Sequence, residues 1–283
     1  MSKRRDIEEH LRAFGEIEDV MGAMKNFALM ESHKLSRVLP MQHRVVNEIE
    51  TAGQDFLSFH QTFKADFSDH EMFLIIGAER GFCGDFNDRL LSALDRHLEL
   101  KDDRNPMLVV VGRKLLQRAE RVKQIAAFVE GPTVADEVPA VLLRVIEQVR
   151  DLTARSRGGE SPAVTTVYHD AVAEEIAIRP VRPFQSPRLS DDDQPFGPLL
   201  TLAPDRMFTQ LIDLYLFSLL HAIFYNALLA ESRARLAHLE SALQRLERDR
   251  ADLLRRRNVL RQEEITEEIE VLMLSRYALP RLR

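Results

Sequence analysis

The chain has 283 residues, of which 45% are apolar and 30% charged, with 11 Gly, 12 Pro and a formal net charge of −6. That composition excludes a disordered tail, a collagen-like repeat and a membrane-embedded channel, and the acidic balance argues against wholesale nucleic-acid binding. The single cysteine, Cys83, excludes an internal disulfide framework and any multi-cysteine zinc site. Apolar stretches such as Leu214–Leu220 fall short of the ~20 residues a membrane span needs. The first residues mix charges of both signs with apolar positions, unlike a secretory signal or a transit peptide. The expectation is a soluble, intracellular protein. Residues 1–60 carry a net −2 and residues 205–283 a net +1, so both ends are densely charged yet nearly neutral. That suits helices with solvated or partner-facing sides.

From the N-terminus, Ile7, Leu11, Phe14, Ile17, Met21, Met24 and Ala28 recur every 3.5 residues on average. This is the period of a left-handed supercoil. The pattern runs on through Val45, Ile49, Ala52, Phe56 and Phe59, with a kink expected at Pro40. In the middle, MFLIIG (72–77) and MLVVVG (107–112) are short, β-branched runs ending in Gly, each followed by an amphipathic stretch, 86–100 and 113–121. A helix over 137–155 and strands at Val164–Tyr168 and Ile176–Val181 complete an alternation that predicts a small parallel or mixed sheet with helices packed on it. Residues 183–204, rich in Pro, Ser and Asp, read as an exposed loop. Then 75 residues, 205–279, contain neither Gly nor Pro. Asp205 caps this helix and Pro280 closes it; at 1.5 Å per residue it would be about 110 Å long, so much of it must project. Leu239, Leu246, Leu253 and Leu260 recur every seven residues, while a second row runs Leu236, Leu243, Arg250, Arg257. The first half reads as a coiled-coil seam and the second as a helix pressed against something polar.

The fold class is therefore α/β: a long antiparallel coiled coil of N- and C-terminal helices with an inserted, Rossmann-like α/β domain. The expected domains are a coiled-coil helix over 1–65, a globular α/β domain with its exposed loop over 66–204, and a long coiled-coil helix over 205–283.

GAERGFCGDFN (77–87) joins a strand to a helix and admits two readings, a tight turn or backbone N–H groups bared to an anion. Its GxxxGxxG spacing matches a dinucleotide fingerprint poorly, no GK[ST] follows, and the tight turn is the simpler reading. Gly112-Arg113-Lys114 is treated alike. Cys83 reads as a small buried side chain, not a nucleophile. No histidine sits at metal-ligand spacing and no carboxylate pair is placed for acid–base chemistry, so neither a catalytic residue, a cofactor nor a metal is expected. Residues 244–262 hold seven Arg (245, 248, 250, 255, 256, 257, 261) against three acids, and residues 263–270 hold five Glu and no base. Such a belt is either ordinary solvation or a docking surface for an acidic partner.

These pieces together resemble the gamma subunit of F-type ATP synthase over nearly the whole length. The resemblance rests on the order helix, α/β insert, helix, and on four motifs. The first is the N-terminal apolar pattern with Ala23-Met24 and Phe27-Ala28. The most specific is Arg80-Gly81-Phe82-Cys83-Gly84-Asp85-Phe86-Asn87 against "RGLCGxxN"; Val110-Val111-Gly112-Arg113-Lys114 matches "VVGxK". Asn258, Arg261-Gln262, Ile265-Thr266 and Glu268 match "NxxRQxxITxE". There are departures. Glu16-Ile17 and Asp19 stand where the family has Asn-Thr and a lysine, Leu243-Gln244-Arg245 replaces a Thr-x-Asn, and Arg257 replaces a Tyr. These point to a divergent branch, such as the alternate sodium-translocating ATPases of some bacteria.

The resemblance implies a central-stalk rotor without a catalytic site of its own. It implies partners too: alpha and beta subunits around the coiled coil, an epsilon subunit beside the globular part, and a membrane ring of c subunits. The location implied is the cytoplasmic face of the bacterial membrane. Arg261, Gln262, Arg255, Arg257 and Met24 would contact beta subunits, while Arg80, Gly81, Cys83, Gly84 and Asn87 form the fold motif. The rival expectation is a non-catalytic coiled-coil scaffold unrelated to ATPases.

Overall fold

The computed structural model describes residues 3–60, 62–63, 68–101, 106–120, 125–155, 162–184 and 199–278. Its sheet grows from the β-branched runs. β1 (Ser68–Ile76) and β2 (Met107–Val111) pair in parallel, with Ile76 opposite Val111. β4 (Pro162–Asp170) lies parallel along the other side of β1 and carries an antiparallel edge strand, β5 (Glu175–Pro180). A three-residue strand, β3 (Ala127–Val129), joins the far edge parallel to β2, giving the order 3-2-1-4-5. Met72–Ile76 are all buried because both faces of the sheet are covered, which is why they form an unbroken apolar run.

One face is covered by α2 (Phe86–Lys101) and α3 (Arg113–Ala119), whose Leu90, Leu94 and Leu115 share a core with Phe73, Ile75, Leu108 and Val110. On the other face Met72, Leu74, Val109 and Val111 share a core with α4 (Val138–Arg155) through Val141, Leu142 and Val145. Leu35 and Leu39 of α1 (Lys3–Phe59), and Phe224 and Leu228 of α5 (Pro204–Ala278), belong to the same core. Adjacent strand residues thus feed opposite layers, as a period of two requires.

The sequence expectations need several adjustments. β3 and the 3₁₀ turn Ala135–Glu137 were not expected, since three residues are too few for a periodicity to register. α1 ends at Phe59 and runs through Pro40 without a break in the helix. Along its later half the apolar face is offset from the expected one: Val46, Ile49, Phe56 and Leu57 are buried, whereas Val45 and Phe59 are exposed. Most of the expected loop, residues 185–198, and Pro280 lie outside the described residues. By length and composition α5 contains an 18-residue window apolar enough to cross a membrane, and more than half of that window is buried inside the molecule. There its apolar side chains complete the core of the α/β layers.

The chain divides into two compact units. One consists of Ala28–Arg235 and holds the sheet and its layers. The other pairs α1 up to Phe27 with α5 from Leu236 onward. In this second unit Arg4 bonds Glu264 at 2.8 Å, Arg250 bonds Glu18 at 2.7 Å and Lys25 bonds Glu240 at 3.0 Å. Partner numbers fall as the others rise, so the helices are antiparallel. Leu239 is fully buried and Met21 nearly so, with Ile7, Leu11, Phe14, Leu243, Leu246, Leu253 and Leu260 half-buried. Ile17 departs from its expected place on the seam and is 47% exposed. The neighbouring Glu18 is turned toward α5 instead, and it supplies the polar surface that the Arg250 row was expected to meet.

Candidate functional site

Two regions carry the residues singled out by sequence, one in each unit. In the α/β unit, the turn 77–87 leaves β1 and enters α2. Several of its backbone donors are already taken. Ala78 N–H donates to Asn87 Oδ1 at 3.0 Å, and Arg80 N–H donates to Glu231 Oε1 at 3.3 Å. The buried Glu79 reaches across to the neighbouring turns, where its Oε2 accepts from the Arg113 N–H at 2.9 Å and the Gly131 N–H at 2.8 Å. Its Oε1 pairs with Arg113 Nε at 2.9 Å. Two carboxylates of the chain itself, Glu231 and Glu79, thus take the Arg80, Arg113 and Gly131 N–H groups, which supports the tight-turn reading of this segment. Gly112 needs its glycine: at φ +112° an added Cβ would sit 2.7 Å from the Gly77 carbonyl oxygen.

Cys83 is buried beneath this turn, with its thiol donating toward the carbonyl oxygens of Arg80 and Gly81. Burial, followed by the nearby Glu231 carboxylate, pushes the thiol up to about 12. It stays protonated at neutral pH and is inert as a nucleophile. Gly84 adopts φ 62°, and Phe82, at φ 64°, is 49% exposed.

Sequence reasoning missed the side chains of α5 that grip these loops. Glu231 and Arg235 form a buried ion pair one helical turn apart, and Arg235 Nε donates to the Gly81 carbonyl at 3.2 Å. Asn226 accepts from the Ala171 N–H at 2.7 Å and donates to Asp170 Oδ1 at 3.0 Å, while Arg233 donates to the Ala171 carbonyl at 2.8 Å. Burial works to raise the Asp170 carboxyl, but donors from Asn226, Ala173, Val172 and Arg179 outweigh it and hold the group below its ordinary value. Burial pushes the Glu231 carboxyl up, opposed by Arg235 and the Arg80 N–H. On α1, buried Glu31 accepts from the Ala135 N–H at 3.1 Å and Lys34 pairs with Asp136 at 2.7 Å. The available signal was a polar residue set in an otherwise apolar helical run, at Asn226 and Glu231.

The expected partner-facing residues lie in the two-helix unit. Arg255 is exposed and, among the described residues, pairs with Asp252 on its own helix at 3.1 Å. Arg257 is half-buried and donates to Asn258 at 3.3 Å. Arg261 and Gln262 are exposed, and neither side chain forms a hydrogen bond among the described residues. Met24 is half-buried on α1. The Lys25–Glu240 bridge places it opposite the Glu240 level of α5, about 30 Å along the helix from Arg261. The structure thus groups Arg255, Arg257, Arg261 and Gln262 and sets Met24 apart. No cluster of three or more His, Cys, Asp or Glu suited to a metal occurs among the described residues.

A family model described as ATP synthase matches residues 3–279. The chain belongs to the ATP synthase gamma family. It is 22% identical over 271 residues to the ATP synthase gamma chain of Clostridium botulinum strain Loch Maree, covering 93% of each chain. It is 24% identical over 296 residues to that of Mycolicibacterium vanbaalenii, covering 94% of each. In structure it is similar to a chain of the Euglena gracilis mitochondrial ATP synthase rotor, with TM-score 0.61, 17% identity, and 93% and 98% of the two chains covered. A chain of the Tetrahymena thermophila mitochondrial ATP synthase central stalk and c-ring matches with TM-score 0.52 and 15% identity, over 79% and 99% of the two chains. Membership makes this chain a central-stalk subunit of a rotary, membrane-associated ATP synthase, with no catalytic site of its own. The reading as an unrelated scaffold falls with it.

Proposed function

We propose that the two-helix unit is an antiparallel coiled-coil shaft turning inside a head of alpha and beta subunits. The Rossmann-like α/β unit serves as the foot that meets an epsilon subunit and the c-subunit ring at the cytoplasmic face of the membrane. In functional terms the chain divides as 1–65, 66–204 and 205–283. Arg255, Arg257, Arg261 and Gln262, with Met24 at a separate level, are the contacts to beta, and the Arg80–Asn87 turn is the fold motif that seats the foot.

The observation that carries this reading is the surface of α5 beyond Arg255. Ile265, Ile269 and Leu274 are 47–69% exposed on the same helix as Arg261 and Gln262, whose side chains form no hydrogen bond among the described residues. Arg4, in the first turn of the described α1, pairs with Glu264 just before these exposed side chains. A single helix with an exposed apolar side is only marginally stable in water, and a surrounding partner that buries that side removes the cost. An asymmetric shaft then acts by differential binding, each beta conformation meeting a different face.

The test is Arg261→Ala with Gln262→Ala. Alanine is the better helix former, so the free chain should keep its helix content by circular dichroism. Losing two partner hydrogen bonds, one of them charged, should weaken assembly with alpha and beta subunits by roughly 2–4 kcal/mol. Normal assembly and normal ATP-driven ion pumping by the double variant would remove these residues from the interface.

A further inference from the structure

The polar contacts between the long helices and the sheet are not scattered. They lie at the C-terminal ends of the parallel strands, on loops 80–81 after β1, 135–136 after β3 and 170–171 after β4. On the helices they occupy Glu31 and Lys34 of α1 and Asn226, Glu231, Arg233 and Arg235 of α5. The α/β unit ends on these helices at Ala28 and Arg235, so the contacts sit within three turns of those ends. Asn226, Glu231 and Arg235 are at most 4% exposed.

We infer that this polar collar is a rotational lock: it fixes the angular setting of both helices on the α/β unit, so that torque passes between shaft and foot without slip. This rests on the rotor reading above. Elsewhere the helices meet the sheet through Leu35, Leu39, Phe224 and Leu228. Apolar packing is non-directional, and it tolerates a rolled or shifted helix when the buried area is kept. Hydrogen bonds to fixed backbone groups do not, since they weaken steeply with angle. Asn226 engages two groups at once, and the Glu231–Arg235 pair reaches both the N–H of Arg80 and the carbonyl of Gly81. A rolled helix would leave all of these buried and unmade. Buried polar networks of this kind specify one arrangement over its near neighbours.

The experiment uses Glu231→Leu with Arg235→Met, which replaces the pair by apolar groups of similar volume. A milder second variant, Lys34→Met with Arg233→Met, changes only the half-buried Lys34 and the exposed Arg233 of the collar. Spin labels at Val172→Cys and Leu214→Cys, both exposed, report the setting of α5 on the β4–β5 edge; the buried Cys83 is left in place. In the purified full chain the distance distribution should broaden at least about twofold in the first variant and measurably in the second. In the assembled complex, ATP hydrolysis should stay within about twofold of wild type, while ions pumped per ATP should fall about threefold or more in the first variant. A role in stability alone would lower the unfolding midpoint and leave that ratio unchanged. Unchanged distance widths in variants that fold would overturn the lock, as would normal pumping per ATP at a broadened width. If the wild-type chain fails to assemble with alpha and beta subunits, the rotor reading fails, and the distance measurement still decides the lock.

Discussion

His169 shows how a single buried side chain ties a loop to a strand. It stands near the end of β4, stacked on Phe86 with ring centroids 3.9 Å apart, and its Nε2 lies 2.8 Å from the Phe86 carbonyl. A carbonyl only accepts, so Nε2 carries the proton and the neutral ring already satisfies the contact. Burial drives its pKa below the ordinary 6.5, only partly offset by that hydrogen bond. The linkage sign follows. Above about 6.5 the ring is neutral folded or unfolded, and the stability is whole. As pH falls below that value the unfolded chain takes up the proton first, and stability is lost until the folded pKa is reached. The stability advantage of the wild type over His169→Gln should therefore shrink between about pH 7 and about pH 5, read as urea midpoints. A gap that stays constant would mean the ring titrates normally in the fold. Nothing in the sequence distinguished His169 from eight other histidines. Its role depends on Phe86, 83 positions away. Gly81 and Gly84, by contrast, were legible as a turn because glycine spacing after a strand is a local signal.

Among the elements, the strands and the long C-terminal helix were readable because each rests on a local pattern. Met72–Ile76 had to be buried on both faces, and 75 residues without Gly or Pro had to be helix. β3 was not readable, since its pairing with β2 comes from tertiary contact and not from period. The same cause offset the later face of α1: the supercoil period was drawn onto Val45 and Phe59, but the α/β core takes Val46 and Leu57. Pro40 is the instructive case. It is exposed in the middle of an unbroken 57-residue helix, where a proline removes one backbone hydrogen bond and crowds the preceding turn. The helix holds because Leu35 and Leu39 before it and Val46 after it are anchored in cores. Pro40→Ala should therefore stabilise the free chain by about 1–3 kcal/mol, measured by equilibrium denaturation. No gain would indicate that the packing requires the local bend a proline imposes.

At the scale of the whole chain, the two units differ in what holds them. Among the described residues, the apolar side chains buried below a tenth of their surface lie in Ala28–Arg235, apart from Met21 and Leu239. The helix pair relies instead on half-buried leucines and on bridges such as Arg4–Glu264 and Arg250–Glu18, whose side chains are 38–45% exposed. Ion pairs that open contribute roughly 0–1 kcal/mol each and weaken with salt. Opening free energy should therefore be set by the core in one unit and remain close to zero in the other. Amide hydrogen exchange on the purified chain should show slow exchange for β1, β2, β4 and α5 up to Arg235. Exchange should be fast, and faster still in about 0.5 M salt, for α1 before Phe27 and α5 after Leu246. Assembly with the head should then slow exchange in that second set by far more than in the first, because the partner supplies the burial the helices lack alone. Equal protection of both sets in the free chain would show that the helix pair is stable by itself, and the exposed Ile265 and Ile269 would need an explanation other than an absent partner.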